Sequence, residues 1–168
     1  MKIVVVGIGN PYFGNDAAGI RVAELVEKEK LFNADVVYLS TTSFEVIDRI
    51  LGYDKAFIID TVLGEENGRI HVLRIDELDE LELTGNLRSQ QQPHTSHALS
   101  LGATLRVGYE LFSDEMPEVE IMAIEIADVE PGICCAKEIK EIDEAIEKSF
   151  RILQQKLLIN HPTDHPTK

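Results

Sequence analysis

Residues 2–8, KIVVVGI, are an almost unbroken run of β-branched residues with no polar alternation. Such a run makes a strand that is apolar on both sides, and it is stable only when both faces of its sheet are covered. That demand for two covering layers constrains the fold more than any other feature. The rest of the chain supplies what it asks for. Residues 16–30 place Ile20, Val22, Ala23, Leu25 and Val26 near helical spacing with charges between them, which predicts a helix. ADVVYLS (34–40) reads as a second strand, and 43–51 as a helix opened by a serine able to cap it. KAFIIDT (55–61) is a third buried strand, GEENG (64–68) a turn, and RIHVLR (69–74) a short strand. A helix is expected at about 97–113 and a last one at about 137–157.

EVEIMAIEIADV (118–129) alternates acid with apolar residues, which predicts a strand with one wetter face near a sheet edge. Strands alternating with helices, without internal repeats, give a three-layer α/β/α domain around a mostly parallel, twisted sheet of about five strands. One domain spans residues 1–158. Residues 76–83 read as a solvated charge run and 84–96 as an exposed mobile loop. The proline-containing end, 159–168, is expected to be a disordered tail, with His161 and His165 in it.

Thirty acids against sixteen bases give a formal charge of −14. That excludes a general nucleic-acid binder, which needs cations to displace phosphate counterions, and it leaves room for a protein partner with a basic segment. No apolar run approaches the ~20 residues of a membrane span. Cys134 and Cys135 are adjacent, so they form no disulfide framework, and they read as packing or loop residues. With no secretion signal before the first strand, the expectation is a cytoplasmic chain.

In a sheet of this type ligands sit beyond the carboxyl ends of the strands. The first strand ends in GIGNPYFGND (7–16). Its glycine spacing is not the dinucleotide fingerprint, Pro11 removes an N–H where a pyrophosphate would need one, and no P-loop lysine follows. The loop is suited instead to turning sharply, with Asn10 bracing it, and to delivering Asp16 at the start of the next helix. There Asp16 could serve as a helix cap or as a site residue. Asp60 closes the third strand at the same sheet edge, and His97 opens the helix after the polar loop, with His94 a rival donor. Two carboxylates and an imidazole at one rim make a facial ligand set for a divalent transition metal, the imidazole suiting nickel or zinc.

With these residues the chain resembles the hydrogenase maturation endopeptidases over roughly residues 2 to 155. Their opening strand and G-x-G-N-x-x-x-x-D-[DE]-x-x-G element is matched by Gly7, Gly9, Asn10, Asp16 and Gly19, their strand-closing acid by Asp60, and their [ST]-H-x-x-x-L element by Ser96, His97 and Leu101. Asn15 stands where the family commonly has a first acid. The glycine-rich turn after the second strand, associated with precursor recognition, is LSTTS here, keeping Thr41 and Thr42 as substrate-binding candidates. The resemblance implies an endopeptidase that removes the C-terminal extension of a nickel-iron hydrogenase large-subunit precursor after nickel insertion. It would read the nickel through Asp16, Asp60 and His97. The nickel would come with the precursor, other divalent transition metals being able to substitute. Signatures of the common proteases are absent, which leaves metal-assisted hydrolysis or a carboxylate base. A non-catalytic metal-binding or metal-delivery module on the same fold is the alternative.

Overall fold

A computed structural model describes residues 1–12, 14–75, 101–127 and 140–160. Five strands, β1 (Ile3–Ile8), β2 (Asp35–Leu39), β3 (Lys55–Leu63), β4 (Ile70–Arg74) and β5 (Glu118–Ile126), form one sheet in the order β2-β1-β3-β5-β4. All neighbouring pairs are parallel except β4, which runs antiparallel to β5 at one edge. The helices are α1 (Ala18–Lys28), α2 (Glu45–Ile50), α3 (Leu101–Leu111) and α4 (Lys140–Asn160). The expected three-layer, mostly parallel architecture is therefore present.

Side-chain alternation along the strands splits the core in two. Ile3, Val5, Phe57, Ile59, Met122 and Ile124 face α1 and α4, while Val4, Val6, Ala56, Ile58 and Ile121 face the side of α2 and α3. α1 buries Ala18, Gly19, Val22, Ala23 and Val26, a stripe spaced to face the sheet at 3.6 residues per turn. α4 does the same with Ile142, Ala145, Ile146, Leu153 and Leu157. At about 25 cal/mol per Å2 of apolar area, each fully buried Val, Leu or Ile contributes roughly 1.5–3 kcal/mol, so the layers hold by burial on both faces.

One expectation is corrected. β5 is no edge strand: it lies between β3 and β4, and Val119 and residues 121–126 are buried along it. Its acids mimic the pattern of a wet face, but each has a partner inside the fold. Glu120 pairs with Lys55 at 3.0 Å and with Lys156 of α4, and Glu118 pairs with Lys55 at 3.2 Å. Burial alone would push the Glu120 carboxyl up, but the two lysines hold it below its ordinary value. The outer strand is β4, whose row is half-buried. The charge run, the polar loop with His94 and His97, Cys134 and Cys135, and residues 161–168 of the tail lie outside the described residues. α4 reaches Asn160, slightly beyond the domain end expected at 158.

Candidate active site at the carboxyl rim of β1 and β3

The first strand and α1 meet at unusually short range. A Cβ on Gly19 would stand 2.4 Å from the carbonyl oxygen of Ile8 and 2.5 Å from that of Ile59. Only glycine lets the helix start directly over the ends of β1 and β3. Gly9 has φ +148°, and a Cβ there would meet the Asp16 carbonyl at 1.9 Å, so the loop folds back on its own beginning. Asn10 braces it as expected, its Oδ1 accepting the N–H of Tyr12 at 3.0 Å. The glycines thus serve close backbone packing.

This packing decides between the two roles open to Asp16. α1 has Ala17 at its N-cap with no side-chain cap bond. The Asp16 carboxylate instead turns to the rim: Oδ2 accepts the N–H of Asn10 at 2.9 Å and Oδ1 accepts the hydroxyl of Thr61 at 2.8 Å. It is held by the loop and by β3, and it does not cap the helix.

Asp60 lies beside it because β3 outlasts β1. Gly7 is opposite Ile59, β1 ends one residue later at Ile8, and β3 continues to Leu63. The tail of β3 therefore flanks the space into which the β1–α1 loop hangs Asp16. Asp60 Oδ1 accepts the N–H of Thr61 at 2.8 Å, and Oδ2 accepts the Thr42 hydroxyl at 3.3 Å. Each of the four carboxylate oxygens thus has one protein donor, and a carboxylate oxygen has a second lone pair to offer. Burial pushes the Asp60 carboxyl up from 3.8 to about 6; the Thr61 N–H and the Thr42 hydroxyl oppose this, and the Asp16 charge adds to it. This acid changes protonation close to neutrality.

The structure therefore brings Asp16, Asp60 and Thr42 together at one rim. Thr41 is exposed next to Thr42. His97 falls outside the described residues, among which no group of three or more His, Cys, Asp or Glu stands close enough to hold a metal. The sequence reading missed Thr61. Its signal was present, since the residue after an acid in a strand points to the opposite sheet face, and β3 runs past the expected end at Asp60 to Leu63. It also missed a second polar pair. Glu125 Oε1 accepts the N–H groups of Glu65 and Glu66 at 2.6 and 2.8 Å, and its Oε2 faces His71 Nε2 at 3.0 Å. His71 and Asp60 both stand opposite Ala123, so they are two strand spacings, about 10 Å, apart. Glu125, Asn67 and the Gly64 and Gly68 amides tie the β3–β4 turn to the end of β5, which makes a fixed wall on that side of the rim.

No protein-family model matches the chain. It is 24% identical to the hydrogenase 2 maturation protease of Escherichia coli (strain K12), the match covering 92% of each chain. Among solved structures it resembles the [NiFe] hydrogenase maturation protease HybD from Thermococcus kodakarensis, with a TM-score of 0.69 at 19% identity over 94% of this chain and 99% of that one. The E. coli hydrogenase maturating endopeptidase HybD gives 0.61 at 23% identity over 93% and 94%. The chain resembles hydrogenase maturation proteases along nearly its whole length and has their fold.

Proposed function

We propose that this chain is an endopeptidase that removes the C-terminal extension of a nickel-iron hydrogenase large-subunit precursor once nickel has been inserted. The observation that carries the reading is the pair of acids, Asp16 and Asp60, drawn from different segments to one rim of a fold found in proteins named for that activity. The nickel belongs to the precursor and is part of the substrate. Two carboxylates with free lone pairs offer donors for the open coordination positions of a nickel ion already held by its own protein, and His97 is the proposed third contact. Oxygen and imidazole donors suit a divalent transition metal.

The settings of the two acids support a different role for each. Asp16, fixed by an amide and a hydroxyl, suits a stationary nickel contact. Asp60 is the proposed proton carrier: its carboxylate oxygen not on the nickel would take the proton of the attacking water and return it to the departing amine. In the hydrolysis, water adds to the scissile carbonyl carbon, the C–N bond breaks, and the new carboxylate stays on the mature subunit. Thr42, in the turn after β2, braces Asp60, and with Thr41 it forms the proposed contact to the precursor chain. Requiring the precursor's nickel would make cleavage a checkpoint on metal insertion. Among the described residues no helix is long and apolar enough to cross a membrane.

The test is to incubate the protein with nickel-loaded and nickel-free precursor and weigh the products. A mass loss confined to the loaded precursor is expected. Equal cleavage of both defeats the checkpoint, and tight nickel binding with no change of precursor mass favours the metal-delivery alternative.

A further inference from the structure

We infer that Thr61 is a positioning residue that locks the two acids of the site to each other, an inference that rests on the proposed role of Asp16 and Asp60. The reason lies in strand alternation. Ala56 and Ile58 face the α2 side of the sheet, and Phe57 and Ile59 face the α1 side. Continuing that pattern along β3, Asp60 points to the α2 side and Thr61 to the α1 side. The two acids therefore reach the rim from opposite faces of β3, Asp60 from the strand itself and Asp16 from the start of α1.

Thr61 is placed to touch both. Its backbone N–H donates to Asp60 Oδ1 at 2.8 Å and its hydroxyl donates to Asp16 Oδ1, also at 2.8 Å. The first bond fixes the carboxylate of its own neighbour. The second reaches 45 residues back along the chain and fixes the other. Asn10 and Thr42 each hold one acid only, so Thr61 is the one residue seen bonded to both among the described residues. Bonds to an ionised acceptor are roughly twice as strong as neutral ones, and groups that orient metal-binding side chains typically carry a 10–100-fold effect on metal affinity. A hydroxyl at position 61 therefore sets the distance between the carboxylates before the nickel of the precursor arrives.

Thr61→Val removes the hydroxyl at nearly constant shape, and Thr61→Ser keeps it. The first readout uses metal-free protein and asks whether the contact exists. The melting-temperature loss caused by Thr61→Val should largely disappear in an Asp16→Ala background, because the partner is already gone. The second uses nickel chloride titrated into each variant by calorimetry. Thr61→Val should bind about 10–100-fold more weakly, with Thr61→Ser restoring the wild-type affinity. A threonine that only supports the strand would give additive melting losses and an unchanged nickel affinity, and either result overturns the role of Thr61 while leaving the proposed function standing. A wild type that binds no nickel and leaves the precursor whole brings down both together.

Discussion

Replacing Asp60 by asparagine should stabilise the metal-free protein at neutral pH. The introduced amide would keep a carbonyl oxygen to accept the Thr61 N–H, and its NH2 could donate to the Thr42 hydroxyl oxygen, while the charge is lost. In the native protein burial, opposed by the two donors and aided by the Asp16 charge, raises the Asp60 carboxyl from 3.8 to about 6. A folded-state value above the unfolded one means that the proton favours the fold. The benefit is complete below pH ~3.8 and is lost as pH climbs through ~6. At 1.36 kcal/mol per pH unit, the full difference is about 3 kcal/mol at pH 7.5. Asp60 keeps some contact with solvent, which screens part of this, so a gain of about 1–3 kcal/mol is expected from Asp60→Asn, with 2–4 °C in melting temperature for each kcal/mol in a chain of this size. Urea unfolding of both proteins in EDTA at pH 3.5, 5, 6 and 7.5 would measure it. The difference between variant and wild type must grow through the interval from ~4 to ~6 and then level off. A variant less stable at pH 7.5 than at pH 3.5, relative to wild type, refutes the claim that the Asp60 charge is held at a cost.

Gly19→Ala should be destabilising despite alanine's helix advantage of ~1 kcal/mol: the added carbon meets two carbonyl oxygens at 2.4 and 2.5 Å, and overpacking of this kind costs typically 1–3 kcal/mol. Chemical unfolding would show it, and a loss of cleavage should accompany the displaced Asp16. Glu120→Gln removes the charge shared by Lys55 and Lys156, and because Lys55 keeps Glu118 and Lys156 is partly exposed, it should cost less than the ~3–5 kcal/mol of a fully buried broken pair. Because the lysines hold the Glu120 carboxyl below its ordinary value, its stabilisation is present above that value and fades as acid protonates it, so wild type and variant should converge in low-pH melts. His97→Ala should abolish cleavage of nickel-loaded precursor by mass spectrometry, and retained cleavage would remove His97 from the proposed nickel contacts.

Much of the fold could be read from local chemistry. The uninterrupted apolar strands β1 and β3 declare a sheet covered on both sides, and the periodicity of α1 and α4 names the covering layers. The place of β5 was not legible, because an acid in a strand looks the same whether it meets water or a lysine from a distant segment. Lys55 comes from a neighbouring strand and Lys156 from the last helix, and no local pattern announces that they converge on Glu120. The candidate site divides in the same way. Asp16 and Asp60 stand out because one follows the glycine loop after β1 and the other sits near the carboxyl end of β3, three residues before Leu63, at a predictable rim. Thr61 and the Glu125–His71 pair act through partners 45 and 54 residues away, and such pairing emerges only when the chain is folded.

Among the described residues, the four buried or partly buried acids of the sheet and its rim also differ in what neutralises them. Glu120 has two lysines. Glu125 has two backbone amides and His71, and although burial pushes its carboxyl up, these partners bring it below its ordinary value. Asp16 and Asp60 are given hydroxyl and amide donors, with no lysine or arginine paired to them among the described residues, and they are set close enough for one to raise the other. Stability alone would favour separating such a pair or placing a cation beside it, since like charges in a shared, partly desolvated space each make the other harder to ionise. The packing of Gly9 and Gly19 and the double contact of Thr61 instead hold them together. Under the proposed function, this arrangement, unfavourable in the metal-free protein, would become favourable with the precursor's nickel at the two carboxylates, and the energy spent on assembling the rim would be recovered in that complex.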